Sequence, residues 1–226
     1  MYRVEDKYLL SPSQMTLLEK RIASVLTPDQ NNINRKGYQI SSLYFDDNYD
    51  RCLHDTINGV SPRDKYRIRI YNNSFDTIKL EVKRKKLNRT LKFVSSITKE
   101  ECQKLCLGET LDRRTDSADD PINAFNTAIS TRLLHPSVIV TYDRNAYLYD
   151  EGDVRITFDR NLRGSNWTEM FGKPDLVYDY PQGKGGILEV KYNGFLPTFI
   201  AQLIENNSMI QTSNSKYRIC REIYLG

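Results

Sequence analysis

DKYRIRIYNNSFDTIKLEVKRKK, residues 64–86, alternates charge with apolar bulk twice over. Lys65, Arg67 and Arg69 fall between Tyr66, Ile68 and Ile70; after Asn72-Asn73-Ser74 the pattern resumes, with Lys79, Glu81, Lys83 and Lys85 set among Ile78, Leu80 and Val82. A period of two is that of a strand, and the asparagine pair between the two runs predicts a hairpin turn. In a half-buried strand the charge goes to water and the apolar side chains go to the core. That suits any one strand. It accounts poorly for the whole set, because the pattern recurs as Arg3, Glu5, Lys7; as Tyr142, Arg144; as Arg155, Thr157, Asp159; and as Glu189, Lys191. If the strands close into a barrel with helices packed outside, the apolar residues face the helices and the charged ones line a cationic tunnel. The expected class is therefore α+β, a closed eight-stranded antiparallel β-barrel carrying external helices.

Strands are expected over Tyr2 to Leu10, Gln39 to Asp46, Lys65 to Tyr71, Thr77 to Lys85, Thr90 to Ile97, Val138 to Tyr147, Val154 to Asp159 and Gly186 to Tyr192. Helices are expected between them. In SPSQMTLLEKRIASVL, Ser11 is an N-cap, Pro12 the first helical residue and Gln14 the capping-box partner, with Met15, Leu18, Ile22 and Val25 as the apolar stripe. TKEECQKLCLG repeats the box with Thr98 and Glu101 and stops at Gly108. DDPINAFNTAISTRLL, with Asp120 before Pro121, and LPTFIAQLIENNSMI from Leu196 are two more candidates. The acidic stretch from Gly108 to Asp120 is the expected flexible loop.

The 226 residues, 39% hydrophobic and 27% charged, suit one soluble domain spanning 1–226. The net charge is only +4, so a strong positive field has to come from local clustering. No apolar leader and no run long enough for a membrane helix is readable, which predicts a soluble, unsecreted, cytoplasmic protein. Cys52, Cys102, Cys106 and Cys220 lack the spacing of a zinc site, and His54 and His135 sit in no nucleophile motif. GKGG at Gly183 to Gly186 lacks the P-loop spacing and precedes a strand, so it reads as a turn. Trp167 is expected to pack a loop against the barrel or shape a tunnel mouth. No aromatic platform or helix-turn-helix speaks for nucleic acid.

Like charges lining a channel repel one another unless a polyanion or water reaches them. The prevalence of Arg fits phosphate, which the guanidinium fork grips bidentately. Glu5, Glu81, Asp159 and Glu189 share the register; each can hold a hard divalent cation or pair with a neighbouring base.

RVEDKY (3–8), SSLYFDD (41–47), KYRIRIY (65–71), KLEVKRK (79–85), YDRNAY (142–147), RITFDRNL (155–162), LEVKYNGFLP (188–197) and SKY (215–217) together resemble the VTC (vacuolar transporter chaperone) polyphosphate polymerase domain, a branch of the CYTH-like triphosphate tunnel metalloenzymes. The resemblance runs in order over essentially the whole chain and is to the stand-alone catalytic domain. It implies a tunnel enzyme that moves the γ-phosphate of ATP onto a growing inorganic polyphosphate chain and releases ADP. It implies that Lys7, Arg67, Arg69, Lys83, Arg144, Arg155 and Glu189 are catalytic and that Lys92, Lys191, Ser215, Lys216 and Tyr142 bind phosphate. Glu189, with Glu5, would hold Mn²⁺ or Mg²⁺. The implied partners are ATP and inorganic polyphosphate or triphosphate, with no nucleic acid and room for a membrane-protein partner. Two features depart from the pattern: the wider superfamily opens Glu-x-Glu-x-Lys where this chain has Arg3-x-Glu5-x-Lys7, and Ser213 stands where relatives can carry a base, with Arg218 nearby. Two other readings remain: a triphosphatase or polyphosphate hydrolase on the same barrel, and a non-catalytic polyanion-binding module.

Overall fold

A computed structural model describes residues 3–32, 37–87, 89–117, 119–181, 185–205, 209–213 and 215–225, without the side chains of Arg3 and Arg89. Tyr2, Gly183 and Lys184 of the GKGG stretch, and 206–208 of the fourth expected helix lie outside the described residues. The fold is α+β. The order is β1 (Arg3–Leu10), α1 (Pro12–Ala23), β2 (Thr27–Pro28), β3 (Tyr38–Asp46), α2 (Arg51–Ile57), β4 (Arg63–Tyr71), β5 (Ser74–Lys86), β6 (Arg89–Ile97), α3 (Lys99–Cys106), α4 (Pro121–Arg132), β7 (His135–Tyr149), β8 (Val154–Ser165), β9 (Gly186–Asn193), α5 (Thr198–Ile204), β10 (Ile210–Gln211) and α6 (Lys216–Glu222).

Pairing is antiparallel and runs β10-β1-β9-β8-β7-β3-β4-β5-β6, with the two-residue β2 attached to β7. This corrects the expected closed eight-stranded barrel. The large sheet has ten strands, and among the described residues its path ends at β10 and β6 rather than closing. Physically, among the described residues β10 contributes the pairs Tyr8↔Gln211 and Leu9↔Ile210, too short to carry the ladder further. β6 exposes Leu91 and Val94 and is bonded on one side by β5.

The chain divides into two compact units, one of 1–39, 142–162 and 182–215, the other of 40–141, 163–181 and 216–226. In the first, Ile156 and Phe158 of β8, Leu188 and Val190 of β9 and Leu10 of β1 form one core with Met15, Leu18 and Ile22 of α1 and Ile200 and Ile204 of α5. Strand alternation turns Glu5, Lys7, Arg155, Thr157, Asp159, Glu189 and Lys191 to the opposite face. Ser11 caps α1 as expected, accepting from Gln14 N while the Gln14 side chain accepts from Ser11 N at 2.7 Å. The helix ends two residues short of the expected stripe: Val25 lies beyond the C-cap and is exposed, and Leu26 takes the buried place.

In the second unit, Asn72 and Asn73 both adopt positive φ, +51° and +54°, the geometry a two-residue hairpin loop requires. The β4–β5 ladder they close pairs Arg67 with Glu81 and Ile68 with Leu80. The apolar face of this hairpin and of β3 meets α4, whose Phe125 ring sits edge-on to Phe45 (5.2 Å) and to Tyr66 (5.3 Å). Asp120 caps α4 through Ile122 N at 2.8 Å. The expected flexible stretch is tied back at Arg114, which donates to Glu101 and to the Ser96 carbonyl at 2.6 Å each. Trp167 is 56% exposed, which goes against the first of its two expected roles, packing a loop away.

Candidate functional site

The charged faces gather cations around a small number of buried carboxylates, and each unit holds such a cluster. In the first unit the center is Glu189 of β9, 5% exposed. Register sets Lys7 directly opposite Glu189 and Glu5 opposite Lys191, and the side chains interlock. Lys7 Nζ lies 3.0 Å from Glu5 and 3.9 Å from Glu189; Lys191 Nζ lies 3.2 Å from Glu189 and 4.0 Å from Glu5. Arg144 of β7 adds Nη2 at 3.6 Å from Glu189.

The Arg144 guanidinium is itself held by Asp159, donating from Nε and Nη2 at 2.6 Å to the two carboxylate oxygens, and lies over the Tyr142 ring. Burial works against its charge, but Asp159, Tyr142 and Glu189 outweigh burial and raise its pKa well above the ordinary arginine value. Arg144 is thus a fixed charge in a fixed plane. Arg155 is anchored by Asp29 at 2.9 Å and donates to the Tyr38 hydroxyl at 3.2 Å. Burial raises the Tyr38 hydroxyl pKa against the pull of Arg144 and Arg155, so Tyr38 stays protonated.

In the second unit the center is Glu81 of β5, 1% exposed. Arg67 donates from Nε at 2.6 Å and places Nη2 at 2.5 Å, Lys92 Nζ lies at 2.8 Å and Arg69 Nη1 at 3.8 Å. Burial would raise the Glu81 carboxyl; Arg67, Arg69 and Lys92 together hold it well below the ordinary glutamate range. The Lys92 ammonium is lowered, first by burial and then by Arg67 and Arg69, against the pull of Glu81. Register puts Lys83 opposite both Lys65 and Lys92, on the same face.

This cluster has an aromatic backing. Arg67 donates to the Tyr44 hydroxyl at 2.7 Å, Tyr44 stacks on Tyr217 of α6 at 4.9 Å, and Tyr217 donates to the wholly buried Asp46 at 2.6 Å. Asp46 also accepts from Cys52 N and Leu53 N, capping α2 from a distance. Lys216 and Ser215 lie half-buried at the start of α6, and Arg218 pairs with Glu222 on its own helix at 2.6 Å.

The structure thus brings Glu5, Lys7, Arg144, Glu189 and Lys191 together in one unit, and Arg67, Arg69 and Lys92 in the other. Sequence reasoning named the carboxylates Glu81 and Asp159 only as residues in register, and missed Asp29, Tyr44, Tyr217 and Asp46 as supports. The signal for Glu81 and Asp159 was a buried-strand position for an acid; Asp29 sits in a turn and gave none. Among the described residues, no three His, Cys, Asp or Glu side chains converge as a metal cage. What is present, one buried carboxylate with Glu5 close by across two lysines, fits a hard cation of the Mg²⁺ or Mn²⁺ type that takes most of its ligands from water and substrate phosphates.

The sequence model of the VTC domain matches residues 2–225. The chain belongs to the VTC domain family. Comparison with curated proteins returned no match. The VTC chain resembles a crystal structure from Bacillus halodurans, provisionally described as an adenylate cyclase, with a TM-score of 0.57 at 14% identity over 96% of each chain. It also resembles an X-ray structure from Vibrio parahaemolyticus under the same provisional description, with a TM-score of 0.46 at 13% identity, over 89% of this chain and 82% of that one. At such identities the Bacillus likeness is one of fold. Among the described residues, no helix of the VTC chain is long and apolar enough to cross a membrane.

Proposed function

We propose that the chain, as one VTC-type domain, is a metal-dependent polyphosphate polymerase. It takes the γ-phosphate of ATP onto inorganic polyphosphate or triphosphate, in a basic tunnel and in the cytoplasm, and releases ADP. The observation that carries this reading is the pairing of many strand-borne cations with single buried carboxylates, Glu189 and Glu81. A phosphate chain offers repeated anionic oxygens to such cations. VTC family membership supports the same substrate class.

Phosphoryl transfer through a loose transition state asks for alignment and charge neutralisation and no covalent nucleophile. The attacking group is a terminal phosphate oxygen, already ionised, so a general base is not required. Arg144, held in its plane by Asp159, and Arg155, held by Asp29, are pre-organised to bind phosphate with little reorganisation. Lys7 and Lys191 share their charge between Glu5 and Glu189 and can turn to the substrate. Arg67, Arg69, Lys92, Lys83 and Lys216 in the second unit, and Ser215 and Tyr142 in the first, are the further residues proposed to engage phosphate. Glu189, with Glu5, would hold a divalent cation whose chemistry is to neutralise charge on transferred and leaving phosphates.

A hydrolase is the second reading. It gains if a further carboxylate holds metal, yet Asp159 is committed to Arg144 in a two-pronged bond. The test is incubation with ATP and Mn²⁺, with and without a short polyphosphate primer, resolving ADP, phosphate and polymer. Polymer matched by ADP supports the proposal. Phosphate without polymer favors the hydrolase, and no turnover leaves a binding module.

A further inference from the structure

Thr157 of β8 is wholly buried, and among the described residues its hydroxyl oxygen has no hydrogen-bond partner. It sits on the charged face between Arg155 and Asp159, directly opposite Glu189 in the β8–β9 register. Both flanking groups are satisfied, Arg155 by Asp29 and Asp159 by Arg144. Paired positions across a ladder bring side chains within reach of each other. A buried hydroxyl without a partner is costly, and a valine of the same shape would avoid that cost. The hydroxyl therefore earns its place in another state of the site.

We propose that Thr157 is a positioning residue for Glu189, its hydroxyl donating to the carboxylate once substrate draws the cations away. The inference rests on the phosphoryl-transfer reading above. Lys7 and Arg144 lie 3.9 and 3.6 Å from Glu189, Coulombic contacts longer than a hydrogen bond. Phosphate oxygens compete for these two groups and for Lys191. As the cations turn to phosphate, Glu189 loses charge compensation at the moment it is to present an oxygen to a divalent cation. A neutral donor from the facing strand then fixes the carboxylate's rotation, as partners behind metal ligands do.

The test is calorimetric titration with inorganic triphosphate, with and without Mn²⁺, on wild type, Thr157→Val and Thr157→Ser. The readout is the factor by which Mn²⁺ tightens triphosphate binding. Val is expected to reduce that factor by about tenfold or more, and Ser to retain it. Val is also expected to melt no lower than wild type without ligand, since it keeps the β-branched shape of the strand position. A Val variant with the wild-type Mn²⁺ factor overturns the inference. So does one that melts well below wild type without ligand, because the hydroxyl would then have a structural partner. A wild-type chain that binds no triphosphate at all overturns the phosphoryl reading itself and this inference with it.

Discussion

Replacing Glu81 by Gln keeps the shape and removes a negative charge that lies within 4 Å of Arg67, Arg69 and Lys92. The three cations do not suffer equally. The Lys92 side chain is 45% exposed and can return to water, whereas Arg67 and Arg69 are largely buried and stay in place beside each other. Breaking a buried ion pair by deleting one partner typically costs about 3–5 kcal/mol. With Lys92 relieved, the lower part of that range applies, about 3–4 kcal/mol, and at roughly 2–4 °C per kcal/mol for a chain of this size the melting point falls by about 6–16 °C. Triphosphate should restore part of the loss, because its oxygens supply the missing anion. Ligand at a hundred times its dissociation constant contributes about 2.7 kcal/mol, and the variant should gain more than wild type.

Acid provides an independent arm. The folded Glu81 carboxyl is held well below its unfolded value, so its contribution is complete above the ordinary glutamate range and fades as pH falls below that range toward the folded value. The gap between wild type and Glu81→Gln should therefore be widest near neutrality and narrow in acid. Scanning calorimetry across pH, with and without triphosphate, reads all of this. A variant melting within about 2 °C of wild type at neutral pH, or gaining no more from triphosphate than wild type does, would refute the argument that Glu81 compensates buried phosphate-binding cations.

Arg144→Lys removes one prong of the bond to Asp159 and should weaken triphosphate binding about tenfold, or ~1.4 kcal/mol, by titration calorimetry. Leu80→Ala empties a fully buried site and should cost about 2–5 kcal/mol in denaturant unfolding. Ser11→Ala removes the side-chain half of the α1 capping box and should cost about 1 kcal/mol in the same assay, leaving phosphate binding alone. Gly172→Ala would place a methyl 2.4 Å from the Phe75 ring at a φ of +75°. It should destabilise by about 1–3 kcal/mol through overpacking alone, with the melting point as readout.

The parts of this fold written in local chemistry were legible. Ser11 with Gln14, Thr98 with Glu101 and Asp120 before Pro121 each announce a helix start, and the alternation through residues 64–86 gives both the hairpin and its charged face. Helix α2 was missed because its starting residue, Asp50, makes no side-chain cap; Asp46, several residues earlier, bonds Cys52 N and Leu53 N instead. α6 is seven residues long, with only its Tyr217 and Cys220 buried, too little periodicity to read. At the site, residue types revealed which groups carry charge, but not which acid neutralises which base. Arg155 takes Asp29 from a turn 126 positions away in sequence, a pairing that only the folded chain creates. Closure was over-read, since alternation dictates which way side chains point and not whether two edge strands meet.

Tyr217 and Asp46 are 171 positions apart, yet one bond between them joins the start of α2 to the last helix. During synthesis the β4–β5 hairpin, whose contacts are local, can form on a microsecond scale once it leaves the ribosome. The hydroxyl that answers the buried Asp46 carboxylate is made much later. Until then the nascent chain carries the Arg67 and Arg69 face with its Tyr44 backing unsupported, available to any cellular polyanion. Completion of this unit thus waits on residue 217, and that delay decides how long a cationic surface is presented by a chain that is not yet folded.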